Sequence, residues 1–211
     1  MSVKTKIHLS RLEMELVNNA SWILTKQRII DKVYLLFGEI LENYKRVSKE
    51  EINSHSLFEI TKGGKISKGE NYLGLPYVML DYPAFFDKEK IFAIRTMFWW
   101  GNFFSITLHI SGEESLSKMS FSDCFDYIKN SNFFVCVNDD QWHHHFEKDN
   151  YVHAHDIDKK TFAGIYSKNF LKISGKTDIR NFNNVQNFLE KTYRELIEFV
   201  KINFPAGEIT L

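Results

Sequence analysis

The chain has 211 residues, of which 44% are hydrophobic and 15% aromatic, and 27 Lys and Arg balance 27 Asp and Glu. A balanced chain lacks the basic face with which proteins displace counterions from duplex nucleic acid, so nucleic acid is not an expected partner. A chain of this length buries roughly 70–75% of the surface that its unfolded form exposes, and it needs neither disulfides nor a metal to be stable.

Cysteine usage and apolar runs bear on the cellular compartment. Cys124 and Cys136 form no CxxC pair, and isolated thiols of this kind are typical of reduced, cytoplasmic proteins. The N-terminal residues contain no uncharged apolar run of the length that a secretory signal needs. The longest apolar stretch, 91–110, is interrupted by Arg95 and two further polar residues, so no membrane span is predicted. We therefore expect a cytoplasmic protein with one domain over residues 1–211.

The first 47 residues predict helices. Ser10 followed by Glu13 is a capping box, which places a helix start at Arg11. From Trp22 to Val47 the apolar residues recur with the 3.6-residue period, which predicts a second helix with one buried stripe. The sequence leaves open whether the chain stays helical through 18–21.

The middle of the chain has strand patterns. Residues 48–71 are polar and Gly-rich and indicate a loop or a frayed strand. Tyr72–Tyr82 has strand composition, with a bulge expected near its start at Gly74 and Pro76. Ile91–Trp100 and Phe103–Ser111 alternate most regularly, and the Gly-Asn pair between them predicts a two-residue hairpin turn.

A two-residue turn also predicts a register for this hairpin. Trp100 then faces Phe103, and Arg95 lies on a face that is otherwise apolar and should meet the helices. The opposite face, which carries His109, is mixed in polarity and is the better candidate for a ligand or a partner.

The rest of the chain alternates between helix and strand patterns. We predict a helix from Ser120 to about Lys129, a strand at Phe133–Val137, a hairpin of Gln141–Phe146 with Tyr151–His155, a helix at Asp158–Tyr166, a strand at Phe170–Ser174 and a final helix from about Asn184 to Asn203. Helices at both ends with strands between them predict an α+β fold: a mostly antiparallel sheet of about five or more strands, backed by long N- and C-terminal helices.

One stretch resembles a known family. The segment GENYLGLPYVMLDYP at Gly69–Pro83, followed by RTMFWWG from Arg95, resembles an uncharacterised family of bacterial proteins of unknown function. The resemblance covers about the central third of the chain. It implies no activity and no functional residues.

Five of the eight histidines lie close together in the sequence. If Lys148–Asn150 forms a three-residue hairpin loop with Asn150 in the left-handed region, four of them share one face: His143, His145, His153 and His155. Imidazoles about 5 Å apart across two strands could share a divalent metal ion such as zinc. A loop of another length breaks the cluster and leaves an exposed hairpin without a metal.

Arg95 and His109 are the two other candidate site residues. A buried guanidinium needs its donors satisfied, so we expect Arg95 to be buried and paired with a carboxylate, with Asp81 as the obvious partner. The alternative is an anion anchor for a ligand, with Trp99 stacked on it. His109 is a candidate general base, or otherwise a half-exposed residue near a strand end.

No complete catalytic set is present, and the chain is rich in aromatic residues. We therefore expect a non-catalytic binding or interaction module, for a small molecule or a protein partner, with an aromatic-lined sheet face. The expected contact residues are Tyr72, Tyr77, Tyr82, Trp99 and Trp100, and the ligand-binding set is Arg95, Trp99, Trp100, His109 and Tyr77. Two enzymes are the alternatives: a metal-dependent hydrolase using the 143–155 hairpin, and an anion-ligand enzyme using Arg95 and His109. The sequence leaves the oligomeric state open.

Overall fold

The computed structural model describes residues 7–51 and 63–204, and its centre is an antiparallel sheet of seven strands. The strands are β1 (Lys65–Tyr72), β2 (Leu75–Phe86), β3 (Ile91–Trp99), β4 (Phe103–Ser111), β5 (Phe134–Cys136), β6 (Tyr151–His153) and β7 (Phe170–Asp178). They lie in the order β1-β2-β3-β4-β7-β5-β6, and every neighbouring pair is antiparallel. The predicted α+β class is confirmed.

Six α-helices accompany the sheet in the described ranges. They are α1 (Arg11–Val17), α2 (Ala20–Glu51), α3 (Glu113–Ser117), α4 (Phe121–Lys129), α5 (Lys159–Tyr166) and α6 (Val185–Asn203). Two short 3₁₀ segments cover Ala154–Asp156 and Ile179–Asn184. None of the described helices combines the length and the apolar character that a membrane span requires.

The helix signals at the N-terminus act as predicted. Ser10 and Glu13 form the reciprocal capping box at the start of α1. The chain does not stay helical between α1 and α2, because Asn19 caps the second helix: its Oδ1 accepts the Trp22 backbone N–H at 3.1 Å. Helix α2 then runs past the predicted end at Val47 to Glu51.

The β3–β4 hairpin forms as predicted, but its register differs by one residue. Trp99 faces Phe103, and the turn has three residues, Trp100 to Asn102. The Asn102 N–H closes the turn on Trp99 O at 3.0 Å, and Gly101 has φ 73° at the third turn position, where a type II turn needs glycine. The predicted pairing of Trp100 with Phe103 is wrong.

This shift moves the side chains of β3 to the opposite faces from those predicted, while the side chains of β4 keep their predicted faces. The face that packs against the helices is the apolar one that carries Ile94, Phe98, Phe104, Ile106 and Leu108. Arg95 lies on the opposite face, which corrects its predicted position toward the helices. The physical reason is that successive strand residues alternate sides, so one extra turn residue moves every β3 side chain to the other face.

The helix-facing core is built between the sheet and the buried stripes of α2 and α6. Phe37 and Tyr44 of α2 are completely buried, and Tyr44 stacks on Tyr193 of α6 with ring centroids 3.8 Å apart. The one polar residue of β3 on this face, Thr96, places its hydroxyl 3.2 Å from the Tyr44 hydroxyl. A buried hydroxyl that is hydrogen-bonded in this way avoids the cost of an unsatisfied polar group.

Two further expectations need correction. Gln141–Phe146 is not a strand, and β6 pairs with β5 instead, with Tyr151 opposite Cys136. Asn150 is not in the left-handed region, since Leu73 is the one non-glycine residue with positive φ in the described ranges. Part of the predicted loop 48–71 lies outside the described residues, and its last seven positions belong to β1, which continues to Tyr72.

Phe37→Ala should lower the free energy of unfolding by about 3–5 kcal/mol, because it leaves a cavity in the core between α2 and the sheet. Leu35, two residues away on α2, is 71% exposed, and Leu35→Ala should change the free energy of unfolding by less than about 0.5 kcal/mol. Urea unfolding followed by circular dichroism measures both. Equal losses for the two variants would contradict the assigned orientation of α2.

Candidate ligand-binding site

The second face of the sheet, turned away from α2 and α6, has an apolar end and a polar end. The apolar end is a cluster of four buried side chains: Met79, Met97, Trp99 and Phe103. The register places the polar side chains of β2, β3, β4 and β7 at the other end: Asp81, Arg95, Thr107, His109, Lys172 and Ser174. This polar end is mostly buried, so its charges and hydrogen bonds decide what the face can do.

The chain itself covers this face with an irregular stretch, residues 138–150, which we name the covering segment. Lys172 holds it from below, since the ammonium donates to Gln141 O at 2.8 Å and to His143 O at 2.7 Å. Lys168 adds bonds to Val137 O and Asn138 O at 2.7 and 2.9 Å. Three backbone carbonyls of the covering segment, those of Asn138, Gln141 and His143, therefore accept hydrogen bonds from lysines and not from a neighbouring strand.

The apolar end of the face holds the same segment by other contacts. The Tyr72 hydroxyl accepts the backbone N–H groups of His144 and His145 at 2.7 and 3.0 Å. The Phe146 ring stacks on Tyr151 at 4.6 Å and meets the edge of Phe103 at 5.0 Å. The covering segment is thus packed on both the polar end and the apolar end of this sheet face.

Lys172 is an unusual residue for this position. It is 1% exposed, and the described residues place no carboxylate in an ion pair with it. Burial disfavours the ammonium form and lowers the pKa of Lys172 to about 8. The two carbonyl oxygens and the Tyr151 ring, whose centroid is 5.5 Å from Nζ, stabilise the charge that remains.

His109 is enclosed by the covering segment rather than offered to a substrate. Its Nε2 donates to Gln141 Oε1 at 2.8 Å, and its ring packs against Trp142 at 5.7 Å. Burial, followed by the charges of Lys172 and Arg95, lowers the pKa of His109 to about 3. The same causes lower the pKa of His144 well below its usual value. Both imidazoles are neutral at pH 7, and the contacts of His109 with Gln141 and of the segment's own His144 with Arg95 join the covering segment to the sheet.

Arg95 is paired with Asp81, as predicted. The guanidinium donates to both carboxylate oxygens, from Nε at 2.7 Å and from Nη2 at 3.0 Å. Its Nη1 lies 3.4 Å from His144 Nε2. The Arg95 side chain is 18% exposed, so it is mostly buried but reaches the surface. Of its five N–H donors, two remain without a partner among the described residues.

An irregularity in β2 builds a pocket over this pair. The register slips between Asp81 and Ala84, so that Ala84 and Phe86 come to lie on the same face as Asp81. The Phe86 ring centroid is 5.5 Å from Arg95 Cζ. A pocket of about 540 Å³ opens here, within the usual size of small-molecule sites. Its lining residues are Gly63, Lys65, Asp81, Ala84, Phe86, Arg95 and Trp142.

The pocket combines a cation with two exposed aromatic rings. Asp81 neutralises Arg95, whereas Lys65, opposite Asp81 on β1, forms no ion pair among the described residues. Phe86 is 43% exposed and Trp142 48% exposed. An uncompensated ammonium beside two flat apolar surfaces suits a ligand that has both a negative charge and a ring.

The histidines predicted to bind a metal do not share one strand face. His143 and His145 lie in the covering segment with ring centroids 5.3 Å apart, while His153 and His155 stack on each other at 4.9 Å beside β6. The predicted hairpin is wrong because Tyr151–His153 pairs with β5. Within the part of the chain that the structure describes, no three His, Cys, Asp or Glu side chains are placed to hold a metal ion.

The predicted aromatic contact residues are largely covered. Trp99 is 7% exposed and donates from its indole N–H to Tyr72 O. Tyr77 packs against the apolar cluster, and Trp100 lies in the hairpin turn beside Trp22 of α2. Of the predicted ligand-binding set, Arg95 lines the pocket, and His109 lies next to it behind Trp142.

A larger groove of about 790 Å³ lies on the other side of the molecule, between α4 and α6. Its walls carry four carboxylates, those of Asp123, Asp126, Glu195 and Glu198. The Tyr127 hydroxyl bonds to Glu195 O at 2.7 Å, and Lys191 pairs with Glu195. Among the described residues, the two side-chain N or O atoms that are buried without a hydrogen-bond partner, His143 Nδ1 and the Tyr151 hydroxyl, do not belong to this groove.

Sequence reasoning missed several residues of this site. Lys172 gives no local signal of burial, since it stands between Leu171 and Ile173 in a regular alternation that assigns lysine to a solvent-exposed face. Lys65, Phe86 and Trp142 give none, because they are distant in sequence and meet only through the sheet register and the β2 irregularity.

Comparisons with models of protein families, with curated proteins and with solved structures give no match.

Lys172→Met should release the covering segment, because it removes the donor for the Gln141 and His143 carbonyls. We expect faster amide hydrogen exchange and faster proteolysis within 138–150, with the rest of the sheet unchanged. Lys68→Met is the control, since Lys68 is a strand lysine whose ammonium lies over the Tyr34 ring on the helix side of the sheet, away from the covering segment. Unchanged exchange in Lys172→Met would contradict the proposed role of this lysine.

Acid should destabilise the protein through its buried histidines. A histidine with a pKa lowered from 6.5 to about 3 contributes stability that is complete above pH 6.5 and is lost as pH falls toward 3. His109 alone should lower the free energy of unfolding by about 2 kcal/mol between pH 7 and pH 5. His109→Gln should reduce this loss in urea titrations at the two pH values. His155→Gln, at an exposed position, should not.

Proposed function

We propose that this protein is a non-catalytic binding module for a small anion that carries a flat, apolar ring. The observation that carries the proposal is the pocket that Lys65, which has no ion pair among the described residues, lines together with the exposed rings of Phe86 and Trp142. The ligand's anionic group would meet Lys65 and the free N–H groups of Arg95. Its ring would lie against the two aromatic side chains.

The surroundings of the pocket support binding rather than catalysis. His109, the predicted general base, lies behind Trp142 with its Nε2 engaged by Gln141. Arg95 is fixed by two bonds to Asp81, so its remaining donors have a defined direction before a ligand arrives. Preorganised donors raise affinity because little side-chain entropy is lost on binding.

We also propose a cytoplasmic location. Cys124 and Cys136 are buried free thiols, and burial raises the pKa of both thiols. A protein with unpaired thiols suits a reducing compartment. The partner proposed for such a module is a small metabolite rather than nucleic acid, in keeping with the balanced charge of the chain.

Benzoate and phenyl phosphate are suitable probes, with cyclohexanecarboxylate and inorganic phosphate to separate the ring from the charge. Isothermal titration should show that the two aromatic anions bind more tightly than the other two. Lys65→Gln should weaken their binding about tenfold, the loss expected for one charge-assisted hydrogen bond.

Lys68→Gln is the matched control for this experiment. Lys68 is on the same strand, but its ammonium lies over the Tyr34 ring of α2, on the helix side of the sheet. It should bind the probes with the affinity of the unmodified chain. If none of the four probes binds, or if both lysine variants lose affinity equally, the pocket is not the binding site.

A further inference from the structure

The N-terminal end of the molecule exposes an apolar surface that belongs to no part of the pocket. We define the N-terminal arm as residues 7–29, which comprise α1 and the first ten residues of α2. Nine large apolar residues between Ile7 and Leu24 are each at least 42% exposed. The buried stripe of α2 begins only at Ile30. The first ten residues of α2 span about 15 Å at a rise of about 1.5 Å per residue, and none of them is buried.

Helix α1 has the highest proportion of exposed apolar residues in the N-terminal arm. Leu12, Met14, Leu16 and Val17 are four of its seven residues, and no residue of α1 is buried. A helix in a globular protein normally packs its large apolar side chains against a neighbouring element. A seven-residue helix is also too short to be stable in water without packing partners.

The first turns of α2 continue the pattern. Trp22 and Ile23 lie on the stripe that faces the sheet further along the helix, but here they are 42% and 50% exposed. Trp22 packs edge-on against Trp100, at the tip of the β3–β4 hairpin, with ring centroids 6.2 Å apart. The stripe therefore extends past the sheet that covers it elsewhere.

We propose that the N-terminal arm is a dimer interface that a second copy of this chain covers. The exposed parts of the nine apolar residues amount to about 1,000 Å², more than the ~800 Å² that each partner contributes to a standard interface. The largest apolar patch on a typical monomer is about 300–600 Å². The area thus fits a stable pair of copies.

The charges of the N-terminal arm also favour a second copy of this chain as the partner. Helix α1 carries Glu13 and Glu15 against Arg11, and the start of α2 carries Arg28, which forms no ion pair among the described residues, whereas Lys26 is already paired with Glu70 of β1. In a two-fold interface each contact is made twice, with the two copies exchanging roles. If α1 of one copy lies on the start of α2 of the other, acidic and basic side chains meet in both halves. A membrane surface would favour a basic polar face, which α1 lacks.

The test measures the mass of the full chain by sedimentation over a range of protein concentrations. We expect a dimer, and Leu12→Glu with Val17→Glu should raise its dissociation constant at least about 100-fold. Leu35→Glu is the control, because Leu35 is an exposed leucine of α2 outside the arm, and it should leave the dimer intact. All these side chains are exposed, so thermal unfolding should show that each variant still folds.

Charge reversal tests the arrangement of the copies. Glu15→Lys and Arg28→Glu should each weaken the dimer, and the double variant should restore it. Failure of the double variant to restore the dimer would overturn the packing of α1 on α2. A chain that is monomeric at every concentration overturns the interface, as does a dimer that the Leu12 and Val17 changes leave unaltered. Binding of the monomer to phosphatidylcholine or phosphatidylserine vesicles would assign the arm to lipid instead.

Discussion

The register of the β3–β4 hairpin is the constraint on which the rest of the structure depends. The three-residue turn at Trp100–Asn102, with Gly101 in the left-handed region, pairs Trp99 with Phe103. This pairing directs the apolar side chains of both strands to α2 and α6 and directs Arg95 and His109 to the other face. Since β2 and β7 extend the same ladder, the register also brings Asp81 opposite Arg95 and Lys172 opposite His109.

The sheet face that carries Arg95, His109 and Lys172 must be either covered or solvated, and the covering segment covers it. Its irregular conformation follows from its bonds: carbonyls of Gln141 and His143 accept from Lys172 and are not free to join a strand ladder. A buried cation held by backbone carbonyls costs desolvation energy, and the lowered pKa of Lys172 expresses that cost. The pocket opens beside the covering segment, where the β2 irregularity turns Phe86 toward Arg95.

The surplus of aromatic and apolar residues has two separate consequences. At the pocket, Phe86 and Trp142 remain partly exposed beside Lys65, a combination that suits a small ring-bearing anion. At the N-terminal arm, exposed apolar residues make up more than half of α1 and continue along the start of α2. The first surface has the depth and charge of a ligand site, and the second has the area of a contact between copies.

Local patterns in the sequence determined the element types: the Ser10 capping box, the alternation of β3 and β4 and the cap of α4 at Ser120 act as predicted, and the stripe of α2 is buried as predicted from Ile30 onward but not at Trp22 and Ile23. The pairing of Arg95 with Asp81 was also predictable, because a guanidinium within an apolar strand needs a carboxylate. Turn length decided the faces, and one residue was enough to exchange them. The histidine hairpin failed for a related reason: Tyr151–His153 had a better partner in β5, far away in sequence. Only the tertiary structure could bring Lys172 under the covering segment and Lys65 beside Phe86, since those contacts depend on strand order and on an irregular register that no local pattern encodes.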